Sequence, residues 1–230
     1  MEKSGGQGGR RHIPGEELST LGDLSFERAL SEALKPNAEY DADKWLFVPN
    51  RYTEYRYILG TRGKKPLICV GINPSTAVPD RLDNTLKSAQ RIALFNGYDS
   101  FIMFNVYAQR ATDPDDMEKT MNPYLHAENM KAFTWIMEYI SRSGKPDLWA
   151  AWGAVIEKRD YLSRCVLDMA EIGNRYGAAW FTAGPRSKAG HPHHPLYLKS
   201  DSRLDPFPDL TEYLQTIGQE QQRNHRSKRI

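Results

Sequence analysis

"PLICVGINPS", Pro66 to Ser75, decides how the rest of the chain is read. A short apolar run closed by Gly71 and Pro74 has the signature of a buried strand that stops at a sheet edge. In alternating α/β folds, ligands bind outside the carboxyl ends of the strands. Asn73, the carboxamide in this turn, falls where chemistry is expected, on a segment stiffened by Pro74. The same unit recurs outward from it: "SFIMFNV", "LWAAWG" and "AAWFTAG" are also strand-like. Between these runs lie "NTLKSAQRIALFNG" with Gly97 as a stop, "PYLHAENMKAFTWIMEYISRSG" with Gly144 past its end, and "AVIEKRDYLSRCVLDMAEIG", all helix-like. Strands alternating with helices predict a single three-layer α/β/α domain around a central, mainly parallel, four-stranded sheet.

Flanking segments are read the same way. "LSFERALSEAL" predicts a short helix ending at Pro36, "WLFVPNRYTEYRYILG" a strand or hairpin before the core, and "DLTEYLQTI" a short last helix. The domain is expected over residues 21–217, with a Gly-rich disordered tail over 1–20 and a basic tail over 218–230.

Composition bounds the function. The 230 residues are 40% hydrophobic and 26% charged, the profile of one globular domain with a sizeable core. No apolar run reaches the roughly 18 residues of a membrane span. "MEKSGGQGGRR" lacks an apolar signal region, so cytoplasmic residence is expected. Cys69 and Cys165 stand alone in apolar surroundings, which suits core filling in a reducing compartment and cannot by itself hold an iron–sulfur cluster. A net charge of +2 does not prove a nucleic-acid partner. "RNHRSKRI" nevertheless places Arg223, Arg226, Lys228 and Arg229 in one tail, either simply solvated or able to hold a phosphate backbone.

Each strand ends in residues that can carry chemistry. After "FIMF", Asn105 would be a buried amide at the sheet edge and must find partners. It either caps a loop or reads the donor and acceptor edge of a bound base. Asp83, two residues before Thr85, suits the cap of the helix that starts there, or faces the pocket. Arg110 either pairs with Asp113 between two loops or meets a phosphate. Three of the six histidines sit in "HPHH", residues 191–194, without enough further ligands for a metal site. His191 could instead donate to an oxyanion, with Leu196 or Tyr197 projecting from the Pro-stiffened loop as a wedge into a base stack, or the segment is an ordinary exposed loop, the reading taken for His193 and His194 individually.

Taken in order, these segments resemble the uracil-DNA glycosylase superfamily. "GINPS" is similar to the first motif of its mismatch-specific and thymine-DNA branch, and "IMFN" to the second-strand segment that ends in the base-reading Asn. "AAWGAVIEK" is similar to the Trp-Gly segment of the third strand, and "GHPHHPLYL" to the loop that carries the catalytic His and the intercalating Leu. With "DRLDNT" and "RATDP", the ensemble over residues 45 to 215 looks most like an uncharacterised bacterial and phage branch. The resemblance implies a uracil-DNA glycosylase-like fold and a metal-independent, monofunctional DNA N-glycosylase with no cofactor. DNA is the implied partner, with no membrane and no obligate protein partner, and the chain is expected to be a monomer.

Residue by residue, the resemblance makes Asn73 the group that positions the attacking water. Asn105 would hold the flipped base, with Gly71 and Ser75 beside it. His191 would stabilise charge on the departing base. Asp83 is the carboxylate that could assist the water, Asp80 the other candidate. Leu196 and Tyr197 would fill the vacated stack, while Ser187, Lys188 and Arg110 would contact the DNA backbone.

The departures are informative. Ser75 stands where the uracil-specific branch has a Tyr that blocks a 5-methyl group, so a 5-modified pyrimidine is the expected substrate, in phage defence or DNA repair. No Phe follows "GINPS" to stack on the base; Leu82 and Leu86 are there instead. One extra residue in "HPHHPLYL" leaves the catalytic His open over one to three positions. Competing readings are a hydrolase of free modified nucleosides or nucleotides and a non-catalytic nucleic-acid reader.

Overall fold

The computed structural model describes residues 23–227. Four parallel strands form the middle of one sheet: β3 (Pro66–Gly71), β4 (Ser100–Asn105), β5 (Asp147–Ala150) and β6 (Ala179–Ala183), in the order β4-β3-β5-β6. These are the four apolar runs read as strands. The sheet is larger than expected, with seven strands in the order β1-β2-β4-β3-β5-β6-β7. "WLFVPNRYTEYRYILG" folds as the antiparallel pair β1 (Trp45–Val48) and β2 (Ile58–Thr61), and β2 adds to the β4 edge. At the other edge β7 (Leu204–Pro206) pairs antiparallel with β6. The added edge strands are short, β1 with four residues and β7 with three, which limits the unpaired edge the sheet presents.

The two faces of the sheet are covered unequally. Leu67 and Cys69 of β3 and Phe101 and Met103 of β4 point to the face covered by α2 (Asn84–Phe95). Their neighbours Ile68, Val70, Ile102 and Phe104 point to the opposite face. There α1 (Phe26–Ala33), α3 (Pro123–Ser141), α4 (Leu162–Arg175) and α5 (Leu210–Ser227) pack together. Strands buried on both faces read as continuous apolar runs, and each fully buried Leu, Ile or Phe adds about 1.5–3 kcal/mol.

The helix boundaries follow their caps. Asp83 accepts the Leu86 N–H at 2.9 Å to start α2, and Gly97 at φ +80° lies just beyond its end. Asn122 caps α3 ahead of Pro123. The third predicted helix starts later than expected, because Gly153 at φ +60° opens a 3-10 turn over Gly153–Glu157 before α4 begins. The last helix is longer than predicted and runs to Ser227, so residues 218–227 continue α5 rather than form a tail. The expected tail over 1–20 and the cations Lys228 and Arg229 lie outside the described residues. No helix among the described residues is long and apolar enough to cross a membrane.

This strand order fixes where a site can form. From β3 the chain turns one way to β4, and from β5 the other way to β6. The crevice between the carboxyl ends of β3 and β5 is therefore the topological switch point.

Candidate active site

A cavity of about 370 Å³ opens at this crevice, within the usual size of small-molecule sites. The turn after β3 gives it Ile72, Asn73 and Ser75; β4 gives Met103 and Asn105; Trp152 and Val155 follow β5; Asp83, Thr85 and Leu86 come from the start of α2. His194 and Leu196 close it from the loop after β6, and Arg56 reaches it from just before β2. Apolar walls with several converging polar groups suit a small-molecule ligand.

The two amides are presented in opposite senses. Nδ2 of Asn73 donates to the carbonyl of Ala111 at 2.7 Å and of Pro74 at 3.2 Å. Only an NH2 group satisfies two carbonyl oxygens, so Oδ1 is the end without a partner among the described residues. Asn105 is 1% exposed, and its Oδ1 accepts from Nη2 of Arg56 at 3.3 Å. Its Nδ2 is buried with no partner among the described residues. Gly71 permits this arrangement, since a Cβ there would lie 3.1 Å from Asn105 Nδ2 and 2.5 Å from Met103 Cε.

The histidine on the cavity is His194. Its Nδ1 accepts the Leu196 N–H at 3.3 Å, which leaves the proton on Nε2. Burial lowers its pKa, so the ring is a neutral donor near pH 7. The loop is pinned by Ser88 of α2, whose hydroxyl donates to the Pro195 carbonyl at 2.8 Å. Gly153 lies close behind, with room for a Cβ only 3.5 Å from His194 Cβ.

His191, expected at the site, does not line the cavity. Its Nδ1 meets the Tyr213 hydroxyl at 2.9 Å and its Nε2 meets Glu157 at 3.2 Å. Tyr213 also receives the Trp152 indole N–H at 3.2 Å, and burial pushes its phenol up to about 12. His191 thus braces the wall behind Trp152 instead of facing the cavity.

Other expected positions divide clearly. Asp83 lines the cavity and caps α2 at once. Leu196 lines the mouth and is 49% exposed; Tyr197 is exposed beside it, its ring 6.0 Å from that of His194. Arg110 is no backbone contact: it is fully buried, donates to the carbonyls of Ser75 and Ala77, and stacks on Tyr52. It braces the turn that carries Ser75, and Asp113 caps a 3-10 turn instead of pairing with it. Ser187 holds the His191 N–H and Lys188 is exposed, and neither lines the cavity. Asp80 bonds Lys44 and Trp45 away from the site.

Sequence reasoning missed Arg56, left His194 as one of the open positions in its loop, and gave Trp152 no role. Arg56 is an Arg between two tyrosines inside a mainly apolar segment, which is itself a sign of an inward-facing charge. Among the described residues, no group of three or more His, Cys, Asp or Glu could hold a metal ion.

Residues 56–196, more than half the chain, match the family described as "Protein of unknown function (DUF1643)". The chain belongs to this family. The matched region begins at Arg56 and ends at Leu196, and every residue lining the cavity falls within it. No curated protein and no solved structure matches the chain.

Proposed function

We propose that the cavity is the base pocket of a metal-independent DNA N-glycosylase acting on a flipped, 5-modified pyrimidine, in a uracil-DNA glycosylase-like fold. The observation that carries this reading is the pair of amides: Asn73 offers Oδ1 and Asn105 offers Nδ2 to the same cavity. Asn73 Oδ1 accepts a hydrogen from water beneath the anomeric carbon. Asn105 Nδ2 donates to a carbonyl or ring nitrogen of the base. The bond from the anomeric carbon to the base nitrogen breaks with its electron pair leaving on the base. His194 Nε2–H donates to the oxygen where this charge gathers. Water then bonds to the anomeric carbon and sheds a proton, the base gains one, and an abasic site remains. Ser75 leaves the wall beside Asn73 short, which suits a substituent on the ring. Leu196, half-exposed at the mouth, is placed to fill the vacated stack.

The test is alkali cleavage of duplexes carrying uracil, thymine mispairs, or hydroxymethylated and glucosylated pyrimidines. The expected outcome is cutting at one modified base. Single-turnover rate should fall about 10²–10³-fold in His194→Ala, the cost of one oxyanion donor, and similarly in Asn73→Ala. His191→Ala should lower thermal stability while folded molecules keep their rate. Loss of cutting in His191→Ala but not in His194→Ala would reverse the assignment. An absence of cutting on every duplex would sink the glycosylase itself.

A further inference from the structure

Arg56 is 1% exposed, and no carboxylate pairs with its guanidinium among the described residues. Nη1 donates to the Ala77 carbonyl at 3.1 Å, Nη2 donates to Asn105 Oδ1 at 3.3 Å, and Nε is buried without a partner. A buried charge is costly unless it is paired, and replacing it by an apolar side chain is often neutral or stabilising. For the fold alone, Arg56 is a poor choice. Beside it, Asn105 Nδ2 is a second buried donor with no acceptor. Both residues line the cavity, and each keeps a buried donor with no partner among the described residues. The nearby charges do not cancel the guanidinium: Arg110 adds a like charge, and Asp83 opposes it from beyond ion-pair distance.

We infer that Arg56 is a positioning residue that turns this part of the cavity into a site for a planar heterocycle carrying negative charge. It holds Oδ1 of Asn105 toward itself, so that Nδ2 must face the ligand. Its positive charge polarises that amide and strengthens the bond Nδ2 donates. Resting on the reading of the cavity as a base pocket, the ligand is the departing base as the electron pair arrives on its ring nitrogen and carbonyl oxygens. A neutral base with a ring N–H in this place gains less, because it would set a donor against donors.

Equilibrium binding of barbiturate, a pyrimidine that is an anion at neutral pH, against neutral uracil tests this without turnover. The full chain should bind barbiturate at least about tenfold more tightly, the scale of one charge-assisted bond. Arg56→Met should remove the preference, and Arg56→Lys should restore part of it. Asn105→Asp, nearly isosteric, supplies the missing carboxylate; it should abolish barbiturate binding and raise the melting temperature. It also carries the test if Arg56→Met does not fold. Equal binding of the two ligands by the unmodified chain, or a preference that survives Asn105→Asp, overturns the inference. Barbiturate preference without abasic-site formation would support it and remove the glycosylase; abasic-site formation without that preference would do the reverse.

Discussion

Asp83 shows how one side chain can serve the helix and the site at once. One carboxylate oxygen accepts the Leu86 N–H, while the residue lines the cavity within the electrostatic reach of Arg56. Substitution separates these roles, because Asn caps helices about as well as Asp and Ala does not. Asp83→Asn should leave the denaturant midpoint nearly unchanged and slow abasic-site formation. Asp83→Ala should add a loss of about 1 kcal/mol in stability. Equal rates in Asp83→Asn and the unmodified chain would reduce Asp83 to a cap. The same doubling of roles explains why sequence reading left this residue between two assignments.

At the scale of elements, the segment between β4 and α3 is strapped down around Glu118. Tyr107 donates its hydroxyl to the Glu118 side chain, and Arg159 and Tyr161 hold the Glu118 carbonyl at 3.0 and 2.8 Å. Burial raises the Glu118 pKa from 4.5 to about 7, with Asn122 opposing the shift. A raised folded pKa means that the folded chain holds this proton more tightly than the unfolded chain. Its contribution is complete below about pH 4.5 and is lost as pH rises through about 7. Glu118→Gln, which keeps the shape without the charge, should be more stable than the unmodified chain at pH 8. The two should converge near pH 4, as read by urea unfolding at both pH values. A constant difference between them would show that packing, not protonation, sets the effect. Nothing in "DDMEKT" signals a half-buried Glu, because its cover includes Arg159 and Tyr161 just before α4, some 40 residues away.

For the molecule as a whole, the arrangement of α2 and the loop after β6 sets the outer face of the site. Leu196 and Tyr197 are exposed there, and α2 carries Lys87 and Arg91 one turn apart on its outer side. Neither cation is in an ion pair among the described residues. A duplex presented to the cavity mouth would run past this helix. Replacing both by Ala should weaken duplex binding at every sequence and reduce the slope of log affinity against log salt by about 2. An unchanged slope would place the duplex on another face. Leu196→Ala, by contrast, should impair duplex substrates and leave single nucleosides unaffected.

The chain by itself determined the parallel core and the turn that carries Asn73. Continuous apolar runs alternating with helical spacing have few other ways to bury themselves. Asn105 was also legible, because a buried amide at a strand end is a local fact. Tertiary structure alone decided the rest. Which histidine of "HPHH" faces the cavity depends on how Ser88 and Gly153 seat the loop, and those contacts join segments far apart in sequence. Whether Arg110 meets solvent or carbonyls depends on the turn it lies behind. Arg56 became part of the site only because β2 adds to the edge of β4, which brings its guanidinium to Asn105 across 49 residues. Periodicity reports which face of an element is buried; the partner a polar group finds there is set by strand order and by loops closing over the sheet.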